Sequence, residues 1–182
     1  MSREIVRCLA VLACVAIASP AESRAASGTA RVEAAFTPGD DISALIVRRV
    51  ARSRYSVQVQ AYLFTDRKLA NALVAARRRG VEVEVIGDAA QQESGGLPWL
   101  GALERAGASV FLNTSHAASH NKIVIVDGRH PAATVITGSY NFTLAAQSRN
   151  AENVVVISGN RRVTDRFVEN FEFHRGQSIP WH

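Results

Sequence analysis

The chain has 182 residues, with 21 lysines and arginines against 16 aspartates and glutamates, which gives a net charge of +5. Its two cysteines, Cys8 and Cys14, both lie near the N-terminus, and this excludes a disulfide framework or a cysteine metal site in the rest of the chain. The basic excess favours polyanionic partners, either nucleic acid or an anionic lipid surface, although solvated helix faces account equally well for any single arginine.

The first predicted element is a targeting segment. Arg3 and Arg7 precede an apolar run at residues 8–18, which is too short to span a bilayer as a mature helix. Pro20 breaks this run, and small residues follow it. We therefore predict a secretory signal peptide over residues 1–25 and a secreted or periplasmic location, with an uncleaved membrane anchor as the alternative.

Strand and helix patterns then alternate along one predicted domain at residues 31–176. Runs of β-branched and apolar residues predict strands at 31–37, 55–64, 81–86, 108–112, 122–126, 133–137 and 153–157. Apolar residues at helical spacing predict helices from Asp40 or Asp41 to about 53, and at 66–79, 97–106 and 161–175, with a loop at 87–96. This alternation predicts an α/β fold, a mixed β-sheet flanked by helices.

The predicted hairpin over residues 122–137 gathers four polar side chains. Successive side chains of a strand point to opposite faces, so His120 and Lys122 share one face. Ser139 and Asn141 follow the returning strand and are also two residues apart. In the expected register, all four side chains converge at one place.

These side chains suit the cleavage of a phosphodiester. Lys122 supplies a positive charge, and Ser139 and Asn141 can donate hydrogen bonds to the non-bridging oxygens as charge builds on them. His120 can attack phosphorus and form a covalent intermediate. Glu152, just before the last predicted strand, is the candidate carboxylate that holds the other imidazole nitrogen.

The pattern resembles the signature of the phospholipase D superfamily, which is His-x-Lys, four residues, Asp, six residues, and Gly-Ser-x-Asn. The residues that match it are His120, Lys122, Asp127, Gly138, Ser139 and Asn141. Segments at 35–38, 60–65, 79–83 and 151–153 extend the resemblance over nearly all of the chain after its first thirty residues. One departure is that ten residues, rather than six, separate Asp127 from Gly138, and the additional ones fit the turn at 128–132.

The resemblance implies a phosphodiester hydrolase in which a phosphohistidine forms on His120. His116 and His120 are four positions apart, but no third ligand lies near them in the sequence, so we predict that the enzyme needs no metal and no cofactor. Its catalytic set is His120, Lys122, Asp127, Ser139, Asn141 and Glu152. Asp127 lies at the turn, which suggests a structural hydrogen-bonding role at least as much as a chemical one. The chain carries a single motif, and a leaving group needs a general acid opposite the nucleophile. The resemblance therefore implies a homodimer with the active site at the interface, where two His120 residues face each other across the twofold axis.

The substrate is less well determined than the reaction. The leading interpretation is an exported endonuclease that cleaves DNA or RNA. The alternative is a phospholipase D acting on phosphatidylcholine or a similar phospholipid, for which residues 97–100 could form an apolar path for acyl chains, although core packing is the favoured role of Trp99. A non-catalytic nucleic-acid-binding module is the third interpretation, and the complete set of candidate catalytic residues argues against it.

Overall fold

The computed structural model describes residues 29–182, so the predicted signal peptide at 1–25 lies outside the described residues. The strands are β1 (Arg31–Thr37), β2 (Ser56–Ala61), β3 (Glu82–Asp88), β4 (Ser109–Asn113), β5 (Lys122–Val126), β6 (Thr134–Gly138), β7 (Glu152–Ser158) and β8 (Ser178–Pro180). The helices are α1 (Ile42–Ala51), α2 (Arg67–Arg78), α3 (Ala89–Glu93), α4 (Leu100–Arg105), α5 (Leu144–Ser148) and α6 (Arg161–Gly176). None of these helices is long and apolar enough to cross a bilayer.

The strands form one open sheet in the order β1-β7-β6-β5-β2-β3-β4-β8. From β1 to β2 in that order each strand runs antiparallel to its neighbour, whereas β2, β3 and β4 are parallel and β8 returns antiparallel along β4. β5 and β6 form the predicted hairpin, in which Ile123 lies opposite Thr137. The predicted mixed sheet is confirmed, and its antiparallel half contains the hairpin.

Helices pack against both faces of the sheet. α1, α2 and α4 cover a core that includes Ile46 and Val124, and α6 covers a second core that includes Ile125 and Phe171. Neighbouring side chains of β5 alternate between the two faces, so Val124 joins the first core and Ile125 the second. Both faces of the central strands are therefore dry, and this explains the uninterrupted apolar run at residues 123–126.

Three short elements differ from the sequence prediction. α3 begins within the predicted loop at 87–96, where the Asp88 carboxylate caps it by accepting a hydrogen bond from the Gln91 N–H at 2.9 Å. α5 follows Thr143, whose hydroxyl accepts a hydrogen bond from the Ala146 N–H. β8 pairs with β4 beyond residue 176, the predicted end of the domain. Caps and strand pairing hold these elements, and none is long enough to show an apolar period.

Candidate active site

Five of the six predicted site residues lie at one end of the sheet. Lys122 is the first residue of β5, and His120 precedes it by two positions. Ser139 and Asn141 follow β6, and Glu152 opens β7. β5, β6 and β7 are antiparallel neighbours, so the start of β5, the end of β6 and the start of β7 meet at the same edge. The sheet topology therefore collects groups that are up to 32 positions apart in the sequence.

Gly138 allows the end of β6 to approach β7 closely. A Cβ atom at this position would lie 2.1 Å from the carbonyl oxygen of Asn153, a distance that no larger residue can accommodate without a backbone shift. The next residue, Ser139, donates its N–H to that carbonyl at 3.1 Å, and its Oγ accepts the Asn153 N–H at 3.1 Å. The glycine therefore fixes the serine backbone against the start of β7.

The Glu152 carboxylate is held by two side chains of its own chain. Its Oε2 accepts a hydrogen bond from Ser139 Oγ at 2.5 Å, and its Oε1 accepts one from Asn150 Nδ2 at 2.8 Å. In residues 29–182, no hydrogen bond joins Glu152 to His120, so the predicted role of Glu152 in holding the imidazole is not met within this chain. Ser139 points its hydroxyl at Glu152 and would have to rotate to donate to a phosphate oxygen.

Thr37 was not predicted as a site residue, yet it positions Glu152. This last residue of β1 lies opposite Glu152 in the sheet, and its Oγ1 accepts the Glu152 N–H at 3.1 Å. The same hydroxyl lies 3.1 Å from the carbonyl oxygen of Ala146 and 3.0 Å from that of Asn150, to which it donates. The segment that leads into β7 is thereby tied to β1 by a buried side chain.

Lys122 is a buried cation. Its residue exposure is 6%, and its Nζ donates to the carbonyl oxygen of His120 at 2.8 Å and lies 4.8 Å from the centroid of the Tyr62 ring. Burial lowers the pKa of Lys122 to about 8, because it penalises the charged form, while the nearby Glu152 carboxylate acts in the opposite direction. At neutral pH the ammonium group is therefore charged but close to its titration point.

The lowered pKa of Lys122 predicts that the activity falls at alkaline pH. The ammonium form binds the phosphate, so kcat/KM on a chromogenic phosphodiester should fall as pH rises through about 8, the pKa of Lys122, and approach a tenfold loss per further pH unit. Lys122→Arg is the matched control, because its guanidinium stays charged over this range and should remove the alkaline fall from whatever activity it retains. A wild-type profile that is flat from neutral to strongly alkaline pH would contradict the assignment.

Tyr62 forms a wall beside His120. The predicted strand at 55–64 ends at Ala61 in the structure, and the Tyr62 ring lies 4.3 Å from the His120 ring, centroid to centroid, at an angle of 60°. Its hydroxyl accepts a hydrogen bond from Gln91 Nε2 at 3.0 Å, and its N–H donates to the Asn121 carbonyl oxygen at 3.1 Å. Tyr62 therefore contacts both His120 and Lys122. It reaches them because it directly follows β2, and β2 is the sheet neighbour of β5.

Asn141 contributes a buried polar atom with no partner. Its Oδ1 is inaccessible to solvent and makes no hydrogen bond to any residue in the described part of the chain. An unsatisfied buried polar atom costs about 1–3 kcal/mol, so folded proteins retain one chiefly where it has a use. An amide oxygen only accepts hydrogen bonds, so a hydrogen bond from Asn141 to a phosphate oxygen must come from its Nδ2.

Comparisons with known proteins agree with this geometry. The family described as "Cardiolipin synthase, PLD-like domain" matches residues 46–175. A protein named Phospholipase D from Rickettsia prowazekii is 34% identical over 140 residues, which cover 77% of this chain and 65% of that protein. This chain belongs to the phospholipase D superfamily.

Two further relatives of the superfamily are informative. The crystal structure of Nuc from Salmonella typhimurium, described as a phospholipase D family member, matches with a TM-score of 0.77 and 28% identity, covering 85% of this chain and 99% of Nuc. Mitochondrial cardiolipin hydrolase of Xenopus tropicalis is 32% identical over 66% of this chain and 55% of its own length. This chain thus spans nearly all of Nuc, but 65% of the Rickettsia prowazekii protein and 55% of the Xenopus tropicalis protein.

Asp127 is the one signature residue that lies away from the other signature residues, at the opposite end of β5. It follows the far end of β5, about 16 Å along the strand from Lys122 at about 3.3 Å per residue. Its carboxylate accepts the N–H groups of Arg54, Tyr55 and Ser56 at 2.7–3.2 Å. The structure therefore supports the structural role for Asp127 and separates it from the predicted catalytic set.

Residues 97–100, the predicted path for acyl chains, form no open path in the structure. Leu97 and Leu100 are fully buried in the core beneath α1 and α2, and Trp99 packs against the same core, the role favoured for it from the sequence. Within residues 29–182, no three His, Cys, Asp or Glu side chains are grouped as metal ligands, and metal independence stays a prediction.

Proposed function

We propose that this protein is a metal-independent phosphodiesterase that works through a phosphohistidine on His120. The exposed imidazole of His120 and the buried ammonium of Lys122 both contact the Tyr62 ring, and Asn141 follows β6 at the same end of the sheet. An accessible nucleophile, a desolvated cation and an amide N–H donor are what an incoming phosphodiester requires. Membership of a superfamily of phosphodiester hydrolases supports the same conclusion.

The chemistry has two balanced steps. In the first, a His120 nitrogen forms a bond to phosphorus while the bond from phosphorus to the leaving oxygen breaks, and that oxygen takes a proton from a general acid. In the second, water attacks phosphorus, gives its proton to the same group, and the phosphorus–nitrogen bond breaks. Lys122 holds the non-bridging oxygens throughout, and the histidine is restored at the end.

We assign the general acid to the partner subunit's His120 in a homodimer. Each chain carries one such motif, while nucleophile and acid must stand on opposite sides of phosphorus. Beside the site, Phe36 on the edge strand β1 is 57% exposed and lies opposite Asn153, whose amide lies 3.5 Å from Ser139 Oγ. Val32, on the same sheet face, is 60% exposed. A second copy covering this apolar face would complete the site.

We propose nucleic acid as the substrate, and the observation that carries this choice is a cavity next to the site. It has a volume of about 300 Å³ and includes Thr143, two positions after Asn141, together with the exposed cations Arg67 and Lys68. The cavity is linked to the site through Phe142, which follows Asn141 and whose carbonyl oxygen accepts the N–H groups of Thr65 and Asp66 in the cavity lining. Two cations at this place suit the flanking phosphates of a polyanionic strand.

A phospholipid is the second candidate, because the same cavity has an apolar rim. Leu144 is 74% exposed, and beside Arg67 and Lys68 it could insert into an anionic lipid surface. The names of the curated relatives, Phospholipase D and Mitochondrial cardiolipin hydrolase, favour this candidate as well.

The two substrates are separated by direct assay in excess EDTA. Purified protein is incubated with single-stranded DNA, RNA and plasmid, and separately with phosphatidylcholine and cardiolipin vesicles, with His120→Ala as the blank. We expect the nucleic acids to be cut and the vesicles to release little phosphatidic acid. The opposite result selects the lipid candidate, and in that case Leu144→Ser should lower vesicle turnover only. Activity that EDTA removes and a divalent ion restores would contradict metal independence.

We also propose export through the N-terminal segment. The basic start, the short apolar run and the small residues after it support cleavage near residue 25, which would give a secreted or periplasmic mature protein. N-terminal sequencing of the protein recovered outside the cytoplasm would locate the mature start.

A further inference from the structure

A second cavity lies at the end of the sheet opposite His120. Its volume is about 360 Å³, and the residues that matter for its chemistry are Arg49, Arg52, Arg54, Tyr55 and His130. Val126, at the far end of β5, also lines it, so it lies about 13 Å along that strand from Lys122. No part of the proposed phosphodiesterase chemistry uses these side chains.

The lining of the cavity carries a net positive charge. Arg49 donates to Glu33 at 2.7 Å, but within residues 29–182 neither Arg52 nor Arg54 pairs with a carboxylate. Asp127 also lines the cavity and offsets one positive charge, but its carboxylate accepts three backbone N–H groups and forms no ion pair with Arg52 or Arg54. Two guanidinium groups are thus left for an anion from outside.

The departure from the superfamily signature builds one wall of this cavity. The lengthened connection between Asp127 and Gly138 contains His130, whose ring stacks on Tyr55 at 4.6 Å between centroids and 25° between planes. The N–H of His130 donates to the Asp127 carbonyl oxygen at 2.8 Å. Asp127 thus holds the turn through its carbonyl oxygen and the backbone of Arg54 and Tyr55 through its carboxylate. The longer turn therefore adds an imidazole to a pre-arranged basic pocket.

We propose that this cavity is an accessory site for a phosphoryl group, distinct from the site of cleavage. Guanidinium groups bind phosphate oxygens with paired, charge-assisted hydrogen bonds, and Arg52 and Arg54 both line the cavity from the short connection between α1 and β2. The His130 imidazole supplies a further hydrogen-bonding group at the rim. The phosphoryl group belongs either to a nucleic-acid strand or to a small phosphate-bearing anion.

The test uses the imidazole NMR signals of the full chain, because one histidine marks each site. Signals of His120 and His130 are assigned by substituting each residue, and inorganic pyrophosphate is then titrated into the wild type. We expect a saturable shift at His130. Arg52→Ala/Arg54→Ala should weaken that response by about tenfold or more, the loss of charge-assisted hydrogen bonds to an anion, and leave the His120 response unchanged.

Controls keep the result interpretable. Arg48→Ala changes a neighbouring exposed arginine of α1 that does not line the cavity, and it should leave the His130 response intact. If the double variant fails to fold by circular dichroism, the single changes Arg52→Gln and Arg54→Gln replace it. His130 signals that stay still while those of His120 titrate would overturn the proposal, as would a response that survives loss of both arginines.

A second titration identifies the source of the phosphoryl group. A short single-stranded DNA that moves His130 at lower concentration than pyrophosphate places the cavity on a nucleic-acid surface, whereas a response to pyrophosphate alone indicates a small anion. Each of these outcomes supports the accessory site, and no response of His130 to either probe contradicts it. Because His130 and His120 are read separately, failure here is distinct from failure of the proposed phosphodiesterase activity.

Discussion

His120→Ala is expected to abolish phosphodiester hydrolysis, with kcat reduced on the order of 10⁴-fold or more. Loss of a covalent nucleophile removes the intermediate itself, and reductions of this size follow when members of a catalytic unit are deleted. The His120 side chain is exposed and contacts the Tyr62 ring at its own surface position, so its removal leaves the core untouched. Circular dichroism and the thermal midpoint should stay close to those of the wild type.

The covalent intermediate on His120 can be detected directly, in addition to the loss of turnover. Wild-type protein quenched during turnover of a phosphodiester should carry an acid-labile, base-stable phosphoryl adduct that His120→Ala lacks. The matched control is His116→Ala, which removes a histidine four positions away that contacts Asn113 and His174. That variant should keep its activity within a few-fold. Turnover retained in His120→Ala would refute the assignment of the nucleophile.

Mixing inactive subunits with wild type should reveal whether two chains share one site. If the partner subunit's His120 is the general acid, a heterodimer of wild type and His120→Ala lacks either the nucleophile or the acid. Activity per total protein should then follow the square of the wild-type fraction. It falls to about one hundredth when one subunit in ten is wild type, because both subunits contribute to a site on the twofold axis.

The control for this experiment dilutes wild-type subunits with a variant that keeps its activity. His116→Ala subunits, tagged and exchanged in the same way, should leave the activity close to that of undiluted protein, since they carry an intact His120. A fall that is linear in the wild-type fraction, or a fully active species at monomer mass in light scattering, would show that each chain works alone. In that event another residue of the same chain must be the acid.

The sequence predicted most of the site because strand periodicity and hairpin pairing are local rules. The β-branched run after His120 and the return strand before Ser139 determine the hairpin, and alternation along β5 places His120 and Lys122 on one face. The same rules predicted the mixed sheet and its long helices. Short capped elements such as α3 were missed, because a single turn with one capping side chain has no apolar period.

Other features depended on contacts between distant segments. Tyr62 lies next to His120 because β2 and β5 are neighbours in the sheet, although 58 positions separate the two residues. Glu152 was expected to hold the imidazole, and instead it accepts the Ser139 hydroxyl, since the close approach at Gly138 brings β6 against β7. Neither the contact between Tyr62 and His120 nor the hydrogen bond between Ser139 and Glu152 can be read from the spacing of these residues in the sequence.

The kinds of groups present, their order and the strand faces that carry them follow from the sequence alone, because these depend on local backbone geometry. The tertiary fold determines which of these groups meet. It separated Asp127 from the predicted set by the length of β5 and used its carboxylate to bind the backbone at residues 54–56. It also buried Lys122, which sets its charge near neutral pH, because desolvation depends on everything packed around the ammonium group and not on its neighbours in the chain.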